Sequence, residues 1–238
     1  MEVIEMSKIK FLILFIVALL LNSNIVFAEE LSKENPQKII YLTFDDGPTK
    51  LSNDILDILK EENVKATFFV IGEQIKDNKE TLIRMNNDGH SIGLHSYTHK
   101  RENLYLSKAS FLSEMKKTQS EIKDLIGLET NILRFPFGCN NISYKINNSM
   151  VELLHEENLK IYDWTQDSGD GANYNLEPNK IFKNSISEKD SIILLLHCSN
   201  KHKNTVKALP YIIKYYKEKG YTFKTIDEQT KEQFHIIK

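Results

Sequence analysis

The chain has 238 residues, which is enough for one large domain or two small ones. Its composition, 41% hydrophobic and 27% charged, is typical of globular proteins. The net charge of −2 provides no basic field that would attract nucleic acid, so no nucleic-acid partner is expected. The two cysteines are too few for a disulfide-stabilised scaffold.

The N-terminal segment has the pattern of an export signal. Two lysines precede an apolar run at 11–21, and the small residues Val26 and Ala28 fit a signal peptidase site. The pattern predicts a signal peptide over 1–28. An uncleaved anchor helix over 9–28 is the alternative, although the apolar run is shorter than the roughly 20 residues that a membrane-spanning helix needs. The protein is therefore expected to be secreted or to lie on the outer, cell-wall face of a membrane.

A polar linker at 29–37 leads into alternating strand-like and helix-like segments. Strands are predicted at 38–44, 66–72, 91–95, 131–135, 159–164 and 191–197. Helices are predicted from a cap at Ser52 or Asn53, and over 79–90, 106–127 and 204–220. This alternation predicts an α/β fold with a parallel sheet, either an incomplete (β/α) barrel or a doubly wound open sheet.

Polar residues collect where the predicted strands end. The strand-end residues are Asp45, Asp46, His95, Arg134, Asp163 and His197. In both candidate architectures the functional site lies beyond the C-terminal ends of the strands. These side chains are therefore expected to meet in one place.

His95 and His99 are four residues apart, so on one helical turn both imidazoles could share a metal. A carboxylate from Asp45 or Asp46 would complete a three-ligand set with an open position, as in catalytic zinc sites. The remaining aspartate would then lie next to the water that the metal activates.

Five motifs in this order carry a family resemblance. They are "TFDDGP", "HSYTH", "RFPFG", "YDW" and "LLLH". In sequence and order they resemble the polysaccharide deacetylases, also called carbohydrate esterase family 4 or the NodB-homology domain. The resemblance covers roughly 38–225, so 38–238 is assigned to one catalytic domain. It implies a distorted (β/α) barrel with fewer than eight regular repeats.

The resemblance also implies roles for the first motifs. Asp45 resembles the general base, and Arg134 resembles the arginine that pairs with it. Asp46, His95 and His99 resemble the ligands of one divalent metal ion. Zinc is the default for such a site, with cobalt, nickel and manganese as alternatives.

The resemblance of the later motifs implies the general acid and the residues that line the pocket. His197 resembles the general acid, with Asp163 tuning its pKa. Trp164 would wall the pocket, Leu195 would line the acetyl pocket, and the backbone N–H of Phe137 would bind the oxyanion.

Three further sets of residues have open or ordinary interpretations. Cys139 and Cys198 follow two of the motifs, so they could form a disulfide near the site or remain free thiols. The stretch 167–177 is expected to be a surface loop. The histidines outside the motifs are expected to be structural or exposed, and these are His90, His155, His202 and His235.

These observations predict an exported, metal-dependent N-deacetylase that acts on an acetylated amino-sugar polymer. The expected substrate is the N-acetylglucosamine of peptidoglycan, and the protein is expected to be a monomer with membrane contact only through an uncleaved N-terminus. Two rivals remain. One is an esterase that removes O-acetyl groups from xylan-like glycans, and the other is a wall-binding protein with an inactive site.

Overall fold

Strand β1 (Ile39–Gly47) forms the centre of the fold in the computed structural model, which describes residues 37–236. Its side chains Ile40, Leu42 and Phe44 are fully buried on one face, and Thr43 is fully buried on the other, as expected for a strand covered on both faces. It pairs in parallel with β2 (Thr67–Val70) on one side and with β7 (Ser191–His197) on the other.

The sheet contains eight strands, and every pairing between them is parallel. The other strands are β3 (Ser91–Leu94), β4 (Ile132–Leu133), β5 (Lys160–Ile161), β6 (Gln166–Asp167) and β8 (Thr222–Phe223). The order is β5-β4-β3-β2-β1-β7-β6, with β8 added beside β1. The sheet curls into a half-barrel, which confirms the predicted distorted (β/α) barrel.

Eight helices lie within the described residues. They are α1 (Lys50–Glu61), α2 (Gly72–Ile75), α3 (Lys79–Asn87), α4 (Arg101–Leu104), α5 (Lys108–Ile126), α6 (Asn148–Glu156), α7 (Pro178–Ser185) and α8 (Lys203–Glu218). The sequence patterns predicted α1, α3, α5 and α8. They missed α2, α4, α6 and α7, which have only four to nine residues each.

The predicted N-cap of the first helix is wrong. Thr49 is the N-cap, and the Oγ of Ser52 accepts a hydrogen bond of 3.0 Å from the Thr49 N–H. Ser52 therefore lies in the first turn of α1, where its side chain satisfies the capping residue. Ile55, Leu56 and Leu59 on the buried face of α1 pack into the main core.

The predicted signal peptide over 1–28 lies outside the described residues, as does all of the predicted linker except its last residue. Within 37–236, no helix combines the length and the apolar character that crossing a membrane requires.

Candidate active site

The C-terminal ends of the strands surround a pocket of about 240 Å³. Eight of the predicted site residues line it, namely Asp45, Asp46, His95, His99, Phe137, Trp164, Leu195 and His197. Four residues that the motifs did not predict also line it, namely Asp167, Gly171, Ala172 and His202. Asp45 lies directly opposite His197 in the β1–β7 register, so the sheet itself brings these two residues together.

Asp46, His95 and His99 form a cluster whose ligand atoms lie within 4.8 Å of one another. Asp46 Oδ1 is 3.4 Å from His99 Nε2 and 3.7 Å from His95 Nε2. This oxygen is buried and has no hydrogen-bond partner among residues 37–236, a situation that costs about 1–3 kcal/mol when nothing compensates it.

The imidazole of His95 has the orientation of a metal ligand. Its Nδ1 lies 3.0 Å from the carbonyl oxygen of Arg134 and donates to it, which leaves the Nε2 lone pair facing Asp46. Burial, followed by the charge of His99, lowers the pKa of His95 to about 3, so the ring is neutral. Two imidazole nitrogens and an unpaired carboxylate oxygen fit a divalent ion such as zinc.

The backbone around this cluster is locally strained. Asp46, Ser96, His99 and Phe137 have φ values of 67°, 69°, 57° and 67°, in the left-handed region that side chains other than glycine seldom adopt. Part of this strain is offset locally, because Ser96 Oγ accepts a hydrogen bond of 3.0 Å from the His99 N–H. Such conformations concentrate at functional sites, where the surrounding structure holds them.

Asp45 pairs with a fully buried arginine. Arg134 Nη1 donates to Asp45 Oδ1 at 2.9 Å and to Thr43 Oγ1 at 2.7 Å, and Nε donates to the Tyr162 carbonyl at 2.8 Å. The Arg134–Asp45 ion pair balances both buried charges and fixes the orientation of the carboxylate. The other carboxylate oxygen, Asp45 Oδ2, lies 3.6 Å from His95 Nε2. This is the contact that the family resemblance implies for these two residues.

The carboxylate that contacts His197 is Asp170, and the prediction that Asp163 does so is wrong. His197 Nδ1 donates to Asp170 Oδ1 at 2.7 Å. Burial by itself lowers the pKa of His197, but the hydrogen bond and charge of Asp170 outweigh burial and raise that pKa to about 9. Asp170 is fully buried and also accepts from Thr205 Oγ1 at 2.7 Å, Ser168 Oγ at 2.9 Å and the His197 N–H at 2.9 Å.

Asp163 supports a different part of the pocket. Both of its carboxylate oxygens accept from the Cys139 N–H, at 3.3 and 3.2 Å, and this contact holds the turn that carries Phe137. Burial raises the pKa of Asp163. The sequence reasoning missed Asp170 because it assigned 167–177 to a surface loop. The residues Asp167 and Asp170 within "DSGDG" were the available signal.

His202 is another pocket residue that lies outside the five motifs. It is only 6% exposed and lines the pocket, with its ring stacked on that of His197 at a centroid distance of 5.1 Å. Gly171 lies against the same ring, since a Cβ at that position would be 2.3 Å from His197 Cε1. Position 171 therefore has room only for glycine while His197 keeps this orientation.

The two cysteines are free thiols, so the disulfide alternative is wrong for this structure. Cys198 Sγ donates to the Asp45 carbonyl oxygen at 3.2 Å, and burial raises the pKa of this thiol. A neutral thiol that is directed at a carbonyl is not a metal ligand. Cys198 instead supports the backbone beneath the two aspartates.

Aromatic side chains form the rim of the pocket. Phe137 is 39% exposed, and its ring lies 4.7 Å from that of His99 and 3.7 Å from the guanidinium carbon of Arg101. Trp164 packs against Gly138, where an added Cβ would be 3.0 Å from the indole. Leu195 is 4% exposed and contributes an apolar wall.

Comparison with known proteins identifies the family. The family model described as polysaccharide deacetylase matches residues 32–160, more than half of the chain. The chain belongs to the polysaccharide deacetylase family. This confirms the resemblance carried by the five motifs.

Three similar proteins illustrate the range of the family. A peptidoglycan-N-acetylglucosamine deacetylase of Bacillus cereus is 36% identical over 201 residues, covering 82% of this chain and 71% of that protein. The crystal structure of a polysaccharide deacetylase from Bacillus cereus matches with a TM-score of 0.75 and 34% identity, covering 84% and 96% of the two chains. A bifunctional xylanase/deacetylase of Pseudobutyrivibrio xylanivorans is 34% identical, covering 81% of this chain and 30% of that protein.

Proposed function

We propose that this deacetylase is a metal-dependent hydrolase that removes N-acetyl groups from the N-acetylglucosamine of peptidoglycan. The proposal depends chiefly on one observation. Asp45 and His197 lie opposite each other in the β1–β7 register and line one pocket. Asp45 is a carboxylate paired with Arg134, and His197 is an imidazole held by the Asp170 carboxylate. Hydrolysis of an amide requires a base and an acid in such an arrangement.

Asp46, His95 and His99 would hold one divalent cation, with zinc as the default and cobalt, nickel or manganese as alternatives. When bound, such a cation would polarise the acetyl carbonyl and make a water molecule more acidic. The unpaired Asp46 Oδ1 and the fixed tautomer of His95 support this assignment.

Asp45 would act as the general base. Its Oδ1 is held by Arg134, which leaves Oδ2 to accept a proton from the attacking water. The buried guanidinium of Arg134 places the opposite charge 2.9 Å from Asp45 Oδ1 and fixes the orientation of the carboxylate. The backbone N–H of Phe137 would donate to the developing oxyanion, a kind of contact whose loss costs about 10²–10³ in rate.

His197 would act as the general acid. Asp170 holds Nδ1–H and favours the imidazolium, so Nε2 can give its proton to the nitrogen as the C–N bond breaks. An amine is a poor leaving group unless it is protonated, whereas an ester oxygen needs less help. The strong Asp170–His197 pair therefore favours N-deacetylation over O-deacetylation.

Peptidoglycan is the favoured polymer because the similar protein from Bacillus cereus is a peptidoglycan-N-acetylglucosamine deacetylase. The export-signal pattern at 1–28 supports secretion or a position at the cell wall, where that substrate lies. The aromatic rim of Phe137 and Trp164 offers apolar faces to a sugar chain, and we propose that a monomer suffices. Similarity to a bifunctional xylanase/deacetylase makes an O-acetyl esterase the second candidate.

The test is acetate release from purified peptidoglycan by residues 29–238, with zinc, with a chelator, and with zinc restored. We expect the wild-type protein to release acetate, the chelator to abolish this release, and added zinc to restore it. Asp45→Asn should reduce the rate of acetate release by about 10²–10⁴. Asp54→Asn, on the exposed face of α1, is the matched control and should behave as wild type. Release from acetylxylan but not from peptidoglycan would favour the esterase, and binding without any release would favour a wall-binding protein.

A further inference from the structure

A second histidine lies in the pocket and is used by none of the steps above. The ring of His202 is nearly parallel to that of His197, at an interplanar angle of 22° and a centroid distance of 5.1 Å. His202 Nε2 is buried and makes no hydrogen bond of normal geometry within residues 37–236, although the backbone of Asp170 lies close enough to the ring to raise its pKa against the larger effect of burial. Buried polar atoms are seldom left unpaired in native proteins, so this nitrogen calls for a partner that enters the pocket.

The opposite side of the His202 ring is fixed. Its Nδ1 lies 2.7 Å from Ser199 Oγ, and its backbone N–H donates to the Ser199 carbonyl at 2.9 Å. The ring therefore cannot turn to satisfy Nε2 without giving up the serine contact. This nitrogen is preorganised, which favours binding because little entropy remains to be lost.

A second metal site is the first explanation to consider, since Asp170, His197 and His202 have ligand atoms within 4.8 Å of one another. Two features argue against it. Asp170 already accepts four hydrogen bonds, from Thr205, Ser168 and two nitrogen atoms of His197. The two imidazoles are close to parallel, and because ring lone pairs lie in the ring plane, theirs do not converge on one point.

We infer that His202 Nε2 hydrogen-bonds a hydroxyl group of the bound glycan, which makes His202 a substrate-binding residue. A sugar hydroxyl both donates and accepts, so it pairs with Nε2 in either tautomer of the neutral ring. An ether oxygen or a carbonyl can only accept, and it would pair with one tautomer alone. The inference rests on the proposed function, because it requires a sugar polymer in this pocket.

The test separates sugar binding from catalysis by using two ligands of the same pocket. An N-acetylglucosamine tetramer carries sugar hydroxyls, whereas acetohydroxamate is a small acetyl-bearing metal ligand without a sugar ring. Zinc-loaded Asp45→Asn protein is titrated with each, with and without His202→Ala. We expect His202→Ala to weaken tetramer binding by about tenfold and to leave acetohydroxamate binding within twofold.

His202→Gln is the conservative control, because its amide also donates and accepts, and it should recover part of the tetramer affinity. In the otherwise wild-type protein, His202→Ala should raise KM by about tenfold with little change in kcat. Thermal melting checks that the variants are folded.

Three outcomes would overturn the inference. Unchanged tetramer binding would show that Nε2 has no sugar partner. An equal loss for both ligands would show that His202 acts through the pocket structure, and loss of a bound zinc ion would indicate a second metal site. If the parent Asp45→Asn protein fails to bind the tetramer at all, the proposed function fails and this inference fails with it.

Discussion

Two histidines at opposite ends of the sheet, His90 buried and His197 half-buried, differ in charge state. His90 precedes β3 at the N-terminal end of the strands, and His197 ends β7 beside the pocket. Burial lowers the pKa of His90 to about 4, whereas Asp170 overcomes burial and raises the pKa of His197 to about 9. The two rings thus differ in charge at neutral pH although both are largely removed from water.

The difference lies in the partner that each Nδ1 meets. His90 Nδ1 accepts a hydrogen bond of 3.1 Å from the Ala66 N–H, which requires an unprotonated nitrogen. His197 Nδ1 donates to a carboxylate, which stabilises the protonated ring. Burial keeps a histidine neutral unless a contact opposes it, and the carboxylate beside His197 is the contact that does so.

The largest expected effect comes from removing the carboxylate that faces His197. Asp170→Asn should lower kcat for acetate release by about 10²–10³, because the imidazolium loses its partner. The pKa of His197 should fall, so the alkaline limb of the pH–rate profile should move to lower pH. Zinc binding should stay unchanged, since Asp170 lies outside the Asp46–His95–His99 cluster.

Asp163→Asn is the matched control for that variant. The asparagine oxygen can still accept from the Cys139 N–H, so kcat should change by well under tenfold and the pH profile should keep its shape. A larger loss for Asp163→Asn than for Asp170→Asn would reverse the assignment of the two carboxylates.

The next effect concerns stability at the other end of the sheet. The pKa of His90 is about 4 in the folded protein and about 6.5 when unfolded, so between these values the unfolded chain binds more protons. The stability that neutral His90 contributes is complete above pH 6.5 and is lost as the pH falls toward 4. At pH 5 this single group should cost about 2 kcal/mol.

His90→Asn should remove that part of the pH dependence, because the amide oxygen can accept from Ala66 and does not titrate. Urea unfolding at pH 7.5 and pH 5 measures the difference between wild type and variant. Lys65, Asp88 and Arg84 are the charged groups that act on His90, and they remain in both proteins. His235→Asn, at an exposed position, should keep the wild-type slope, and an unchanged slope for His90→Asn would contradict the prediction.

The smallest expected effect on activity comes from a methyl group that would clash with the ring of His197. Gly171→Ala places a methyl group 2.3 Å from His197 Cε1, so the ring must move. We expect kcat/KM to fall by about tenfold while zinc affinity and the melting temperature stay close to wild type. Asn175→Ala, at an exposed position nearby in the chain, is the control, and wild-type activity in Gly171→Ala would show that the ring is free to shift.

The sequence predicted the features that depend on local pattern. Strand β1 and the aspartates at its end follow from an apolar run and the residues that terminate it. The five motifs predicted that Asp46, His95 and His99 would meet. The helical turn expected for His95 and His99 was wrong, because 95–99 contains no helix and Ser96 and His99 have positive φ values. Each of these inferences needs only neighbouring residues or motifs whose order is characteristic of the family.

The tertiary structure decided which carboxylate faces His197 and where His202 lies. Asp170 reaches its place through contacts with His197 and Thr205, which are 27 and 35 residues away in the chain. His202 enters the pocket because β7 and the start of α8 turn it toward His197. Such contacts depend on how a loop closes over the sheet, and local sequence does not encode that path, since many loop paths satisfy the same short-range preferences.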